Sequence, residues 1–283
     1  MSRNETQQHT LRDVLEFEGV GLHTGIVARV KVRPQAADSG LRFQLGAGGP
    51  IVPALAENVV ETRLATTLGN GTQSVSTVEH ILSALFGMGV DNALIEVDGP
   101  EIPVMDGSAA AFVEGIERIG LAPQALERRC FVAERPFFRR DRDAVFVILP
   151  AETLRIKFSV EYPAPIGAQF FDGAIDPVAY RDGIAPARTF GYLHEYQAML
   201  DSGLARGGTL ANALVFAPEG PITELRWSNE VVRHKVLDLI GDLALLGLWP
   251  RCEVISIKSG HRLHAAALTE LRATWKPRQA ASA

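Results

Sequence analysis

Cysteine is nearly absent from this sequence of 283 residues: Cys130 and Cys252 stand far apart and belong to no paired-cysteine motif. That argues against a disulfide scaffold and for a reducing compartment, with both thiols expected in the core. Long apolar runs are also missing. No stretch approaches the roughly 20 apolar residues of a spanning helix, and the start, Met1 to His9, is polar and has no apolar h-region. A soluble, cytosolic protein is therefore expected. Nor does charge of one sign accumulate. The 28 basic residues are scattered along the chain against 33 acidic ones, a net charge of -5, so no face advertises itself to a phosphate backbone and nucleic acid is not expected as a partner. Apolar side chains are plentiful, at 47%, enough for one large domain or two smaller ones with real cores.

Ile26, Ala28, Val30 and Val32 alternate with Arg29 and Lys31, and later Leu154, Ile156, Phe158, Val160 and Tyr162 alternate with Arg155, Lys157, Ser159 and Glu161. Both stretches read as strands of sheets with one wet face. Each half then reaches a helix. Val78, Ile81, Leu82 and Leu85 share one helical face, as do Val232, Val236, Leu239, Leu243 and Leu246. His80 is followed at Gly87, and His234 at Gly241, by a glycine seven residues on, and strands at Ala93–Val97 and Val254–Ile257 come next. This short repeat suggests a duplicated α+β module of two layers per half, its histidines facing each other across the seam. The break is expected in the polar stretch Leu121 to Arg129, giving domains 1–124 and 125–283. Between Tyr192 and Val215 the pattern is irregular and apolar, which reads as an insertion able to hold a greasy ligand.

His234 and Asp238 are four residues apart, so on a helix they project from one face, about 5–6 Å apart at Cβ. That suits two ligands of one metal, and Asp242 continues the stripe. Such pairs are common and by themselves read more often as a solvated face, so a site needs a third ligand. His80 is the candidate, with Glu79 before it. Ser76-Thr77-Val78-Glu79 also matches a capping box, in which Glu79 would reach back to the Ser76 amide and do no chemistry. Two imidazoles and one carboxylate would leave a fourth zinc position open to water, whose pKa zinc lowers to about 7, and a neighbouring carboxylate could take the proton. His261, beyond a strand end in Ile257-Lys258-Ser259-Gly260-His261, could serve as the acid for a departing amine or be an ordinary surface residue. His264, His194 and His9 read only as surface histidines.

Six ordered motifs resemble those of the UDP-3-O-acyl-N-acetylglucosamine deacetylases of Gram-negative bacteria. They are Gly19 to Gly25, Ser76 to His80, Glu101 to Ser108, Ala187 to Gly191, His234 to Asp242 and Lys258 to His261, and together they span nearly the whole chain. The resemblance implies hydrolysis of the acetamide of an acylated UDP-amino sugar, the committed step of lipid A synthesis. It implies zinc (Zn2+) held by His80, His234 and Asp238, with Glu79 as general base and His261 as acid, kept cationic by Asp242. Lys235 would meet the nucleotide phosphates, and Thr189 and Phe190 would lie near the sugar. The insertion, about 191–216, would form a passage for the acyl chain, with Leu193, Leu204, Leu210, Ala213 and Val215 as lining. The implied fold is two α+β sandwiches packed face to face with the metal between them, and a monomer is expected. The sequence departs from the family where Tyr162 precedes Pro163 in place of a common histidine, and at Ala211 in place of a usual aspartate. Two rival readings are a metal-free sugar-nucleotide binder on the same fold and a zinc amidase for another N-acetyl sugar.

Overall fold

The computed structural model describes residues 6–274; the first five residues of the polar start lie outside the described residues. In the first half, β1 (Gln7–Leu11), β2 (Leu15–Val20), β3 (Val27–Pro34), β4 (Leu41–Leu45), β5 (Ile51–Pro53), β6 (Val59–Glu61), β7 (Thr67–Gly69) and β8 (Ser74–Val75) lead into helix α1 (Glu79–Gly87). Strand β9 (Ala93–Asp98), helix α2 (Ala110–Ile119) and β10 (Leu121–Glu127) follow. The second half runs β11 (Cys130–Val132), β12 (Phe137–Asp141), β13 (Ala144–Pro150), β14 (Arg155–Glu161), β15 (Ala168–Ala174) and α3 (Pro177–Gly183). It continues with β16 (Phe190–Tyr192), α4 (Leu193–Asp201), β17 (Leu214–Ala217), β18 (Gly220–Pro221), α5 (Glu230–Leu243), β19 (Trp249–Ile257) and α6 (His261–Thr274).

Period-two patterning sets the strands. Ala28, Val30 and Val32 of β3 are buried, whereas Arg29 and Lys31 face water and pair with Glu18 and Glu16, their cross-strand neighbours on β2. The strand begins one residue later than the sequence suggests, and Ile26 is exposed. On β14, Ile156, Phe158 and Val160 point inward in the same way.

The duplicated module is visible in the sheets. One sheet has the order β2-β3-β9-β4-β5 and the other β12-β13-β19-β14-β15. Pairing senses match strand for strand: antiparallel at both hairpins, antiparallel onto the central strand, and parallel from that strand to the next. The result is an α+β fold of two like layers. Helices α1 and α5 occupy equivalent places, are almost wholly buried, and pack against each other. The closeness has a local cause. A Cβ at Gly241 would lie 2.1 Å from the carbonyl oxygen of Glu79, so only glycine lets the α5 backbone touch the first turn of α1. Its counterpart Gly87 abuts the ring of Tyr180 instead.

The stretch expected as a break is ordered: β10 pairs antiparallel with β1, and only then does β11 join β19 of the second sheet. We propose that the chain passes from its first domain to its second along this stretch. The irregular insertion forms a unit of its own, with β16 and β17 parallel, α4 between them and β18 at the edge. None of its helix is buried. The unit rests instead on the Gly21–Gly25 turn of the first half, where Arg206 N and Gly207 N donate to the carbonyls of His23 and Leu22. No helix among the described residues is long and apolar enough to cross a membrane. Of the thiols expected in the core, Cys252 is buried and Cys130 only partly so.

Candidate active site

The polar stripe of α5 runs at four-residue intervals along a helix that apart from it carries only Arg233 and Lys235 as charged residues: Glu230, His234, Asp238 and Asp242, all buried. Charged groups are rarely left in such places without partners. Helix α1 brings Glu79 and His80 to the same place from its first turn, and α6 brings His261 from its own, all buried as well.

His80, His234 and Asp238 each offer a ligand atom, and the three atoms lie within 4.8 Å of one another. Asp238 Oδ1 is 3.4 Å from His234 Nε2 and 3.7 Å from His80 Nε2. The two rings meet edge to face with centroids 5.1 Å apart, so the equivalent histidines do face each other across the seam. His234 Nδ1 lies 3.0 Å from the carbonyl of Ala187; a carbonyl only accepts, so the proton sits on Nδ1 and the Nε2 lone pair points inward. Burial keeps both imidazoles neutral, pushing His80 down to about 3 and lowering His234 too. Asp238 stays ionised against burial because Lys235, with the cationic His261 beyond it, holds its carboxyl well below the usual range. Asp238 Oδ1 is nevertheless buried without a hydrogen-bond partner among the described residues. An orphaned carboxylate oxygen facing nitrogen lone pairs is costly unless a cation sits among them, and a nitrogen–oxygen donor set of this kind suits zinc or a similar divalent ion.

Glu79 and His261 border the same space. His261 Nε2 is 3.9 Å from both Glu79 Oε1 and Asp238 Oδ2. Burial pushes Glu79 up to about 7, with Asp238 and Asp242 adding to the rise and His261 opposing it. Burial by itself would lower His261, but Asp242 at 2.8 Å from Nδ1, helped by Glu79 and Asp238, raises it to about 9. The capping box does not form. Helix α1 has no side-chain cap, the Ser76 amide donates to Pro100, and Glu79 Oε2 accepts from Thr66 N at 3.0 Å.

The other sequence candidates are more dispersed. Lys235 Nζ donates to Asp238 Oδ2 at 2.6 Å, and this bond raises its pKa against the effect of burial. The Phe190 ring stands edge-on to His234 and Tyr162, and Thr189 is tied through its backbone to Gly107 and Leu214. Of the five lining candidates, Leu204, Ala213 and Val215 are partly buried, while Leu193 and Leu210 are 48% and 51% exposed. These two face solvent because α4 and the following turn bury so little of themselves.

Sequence reasoning missed several residues that complete the site. His264, expected on the surface, is wholly buried: its Nδ1 lies 2.7 Å from Asp242 Oδ2 and its Nε2 2.6 Å from Ser259 Oγ. Its position one turn after His261 was the available signal. Thr66 donates its hydroxyl to Asp242 Oδ1 at 2.7 Å while its amide serves Glu79, and nothing local in the sequence marks it. Glu230 heads the α5 stripe and holds Arg188 through Nε at 2.9 Å and Nη2 at 3.1 Å, anchoring the Ala187–Gly191 segment to the helix.

The family model for UDP-3-O-acyl N-acetylglycosamine deacetylases matches residues 8–273. Among curated relatives, the UDP-3-O-acyl-N-acetylglucosamine deacetylase of Nostoc sp. is 43% identical over 91% of this chain and 95% of its own length. That of Geotalea uraniireducens is 42% identical over 93% and 88%, and that of Phenylobacterium zucineum 41% over 96% of each. With a family match over nearly its full length, the chain belongs to the UDP-3-O-acyl N-acetylglycosamine deacetylase family.

Proposed function

We propose that the protein is a zinc-dependent amide hydrolase that removes acetate from UDP-3-O-acyl-N-acetylglucosamine, leaving the free amine for lipid A synthesis. The observation that carries this reading is the unpartnered Asp238 Oδ1 facing the Nε2 atoms of His80 and His234, with Glu79 and His261 beside them. His80, His234 and Asp238 would hold the zinc, which when bound supplies Lewis-acid activation of water and of the acetamide carbonyl.

The chain's own groups divide the proton transfers. Glu79, pushed up to about 7, is basic enough to take a proton from water as the oxygen attacks the carbonyl carbon. The Thr66 amide holds Glu79 Oε2, leaving Oε1 turned toward His261 Nε2. His261, raised to about 9, is cationic at neutral pH. Its Nδ1–H goes to Asp242, so Nε2–H is the proton it gives to the sugar nitrogen as the C–N bond breaks and acetate leaves. Asp242 keeps that imidazolium charged and is itself fixed by Thr66 and His264. Thr189 and Phe190 border the sugar, Lys235 meets the nucleotide phosphates, and the acyl chain lies against the insertion near Leu204, Ala213 and Val215, with Leu193 and Leu210 closing over it. The enzyme acts as a cytosolic monomer.

Acetate release from acylated UDP-N-acetylglucosamine, measured with and without a chelator, tests substrate, bond and metal together. Loss of release with chelator and recovery on adding zinc are expected; release that a chelator leaves unchanged would remove the metal from the reading. The non-acylated sugar nucleotide should be a far poorer substrate.

A further inference from the structure

Glu101 is wholly buried, yet no basic side chain lies within ion-pair distance of it among the described residues. Its carboxylate is satisfied by small donors from two segments. His23 N donates to Oε1 at 2.9 Å, and Thr24 N and Thr24 Oγ1 donate to Oε2 at 2.8 and 2.7 Å, all from the Gly21–Gly25 turn. Thr77 Oγ1 donates to Oε1 at 2.9 Å. A Cβ at Gly21 would lie 2.3 Å from Oε2, so the turn is built to let the carboxylate in. Thr77 has φ of 58°, in the left-handed region that a β-branched residue almost never enters without outside support. It lies two residues before Glu79 and three before His80. The backbone direction at Thr77 therefore sets how the first turn of α1 leaves the preceding strand. The other side of Glu101 holds the turn whose His23 and Leu22 carbonyls seat the insertion.

We infer that Glu101 is a positioning residue: it holds Thr77 in its left-handed conformation, aims Glu79 and His80 at the site, and ties that aim to the turn on which the insertion rests. The inference builds on the roles given above to Glu79 and His80. Glu101 touches no reacting atom and acts through the backbone.

Substitutions at Thr77 separate backbone positioning from mere stability. Thr77→Val keeps the shape and removes only the hydroxyl, leaving Glu101 bonded to the turn. Thr77→Ser keeps the donor, and Thr77→Gly adopts the conformation unaided. In the zinc-loaded protein, Thr77→Val should lower kcat by about 100-fold with KM changed far less, as expected for a displacement of about 1 Å at the reacting groups, and should lose zinc to a competing chelator more readily. Thr77→Ser and Thr77→Gly should stay within roughly tenfold of the parent in kcat, and adding Thr77→Gly to Glu101→Gln should recover part of what Glu101→Gln loses. If Thr77→Val does not fold, the Ser and Gly variants and the Glu101→Gln pair decide. The inference is overturned if Thr77→Val matches the parent in both kcat and zinc retention, or if a folded Thr77→Gly is as impaired as Glu101→Gln. Should the parent release no acetate at all, the functional reading fails, while the order of zinc retention across the series still tests the positioning.

Discussion

At the scale of single residues, the site rests on two groups whose environments drive them apart in role: a carboxyl pushed up to about 7 and an imidazole raised to about 9. In the proposed mechanism turnover requires Glu79 without its proton and His261 with one, so the rate should rise with pH through the first value and fall through the second. A cation beside both groups favours proton loss from each, so both flanks should move to lower pH in the zinc-loaded enzyme while keeping their order. Rate measured against pH checks this, and a profile flat from about pH 5 to 9 would remove His261 from its role. Replacing Glu79 by Gln keeps the shape and removes the base; a loss of at least ~100-fold in kcat with zinc content unchanged is expected. His234 and Asp238 stood out by spacing, because a helix turns i, i+4 spacing into proximity, whereas Glu79, His80 and His261 stood out only through the resemblance of their motifs to a known family. Thr66 did not, since its relation to Asp242 spans 176 positions and exists only once both halves have folded.

Among the elements, the contact between α1 and α5 decides whether the donors meet at all. Alanine is a better helix former than glycine by about 1 kcal/mol, so at an open site Gly241→Ala would stabilise α5. Here the added methyl meets the Glu79 carbonyl at 2.1 Å, and overpacking of that kind costs about 1–3 kcal/mol. The clash outweighs the propensity: a lower thermal midpoint is expected, together with a fall in turnover larger than the stability loss explains, because it is the first turn of α1 that gives way. Calorimetry and kinetics on the same preparation check both. Strands β3 and β14 and the apolar faces of α1 and α5 were legible in the sequence because periodicity reports burial directly. Strand β10 was not, since its pairing with β1 is a long-range backbone match and none of its side chains is buried to announce it. The insertion shows in the sequence only as a break in pattern at about 191–216, whereas the β16-β17-β18 unit reaches Pro221, and the exposure of side chains such as Leu193 and Leu210 depends on how α4 sits.

Over the whole molecule, two sheets of the same strand order present their helices to one seam, and the candidate donors are divided between them: His80 from the first half, His234 and Asp238 from the second. The repeat of His80–Gly87 in His234–Gly241 was enough to suggest this duplication. The divergence of the two glycines, one against Glu79 and the other against Tyr180, arises only in the folded packing. A ligand bound only by the folded form stabilises it by about 2.7 kcal/mol at a hundred times its Kd. Stripping the metal should therefore lower the thermal midpoint by several degrees, and zinc should restore it. A midpoint indifferent to chelation would argue that no ion bridges the halves.

With the donors so divided, a zinc ion bound as proposed would be a rivet between two plates. Any shear of one plate against the other would open the donor triangle, so an ion held there would resist shear beyond what the packing of α1 on α5 does alone. If the proposed zinc is bound there, starving the protein of it would do more than idle it: a seam held by packing alone would shear more readily and open the short crossing around Arg128 and Arg129 more often to proteases that cut after basic residues, so that scarcity of the ion would be read out as faster turnover of the chain itself.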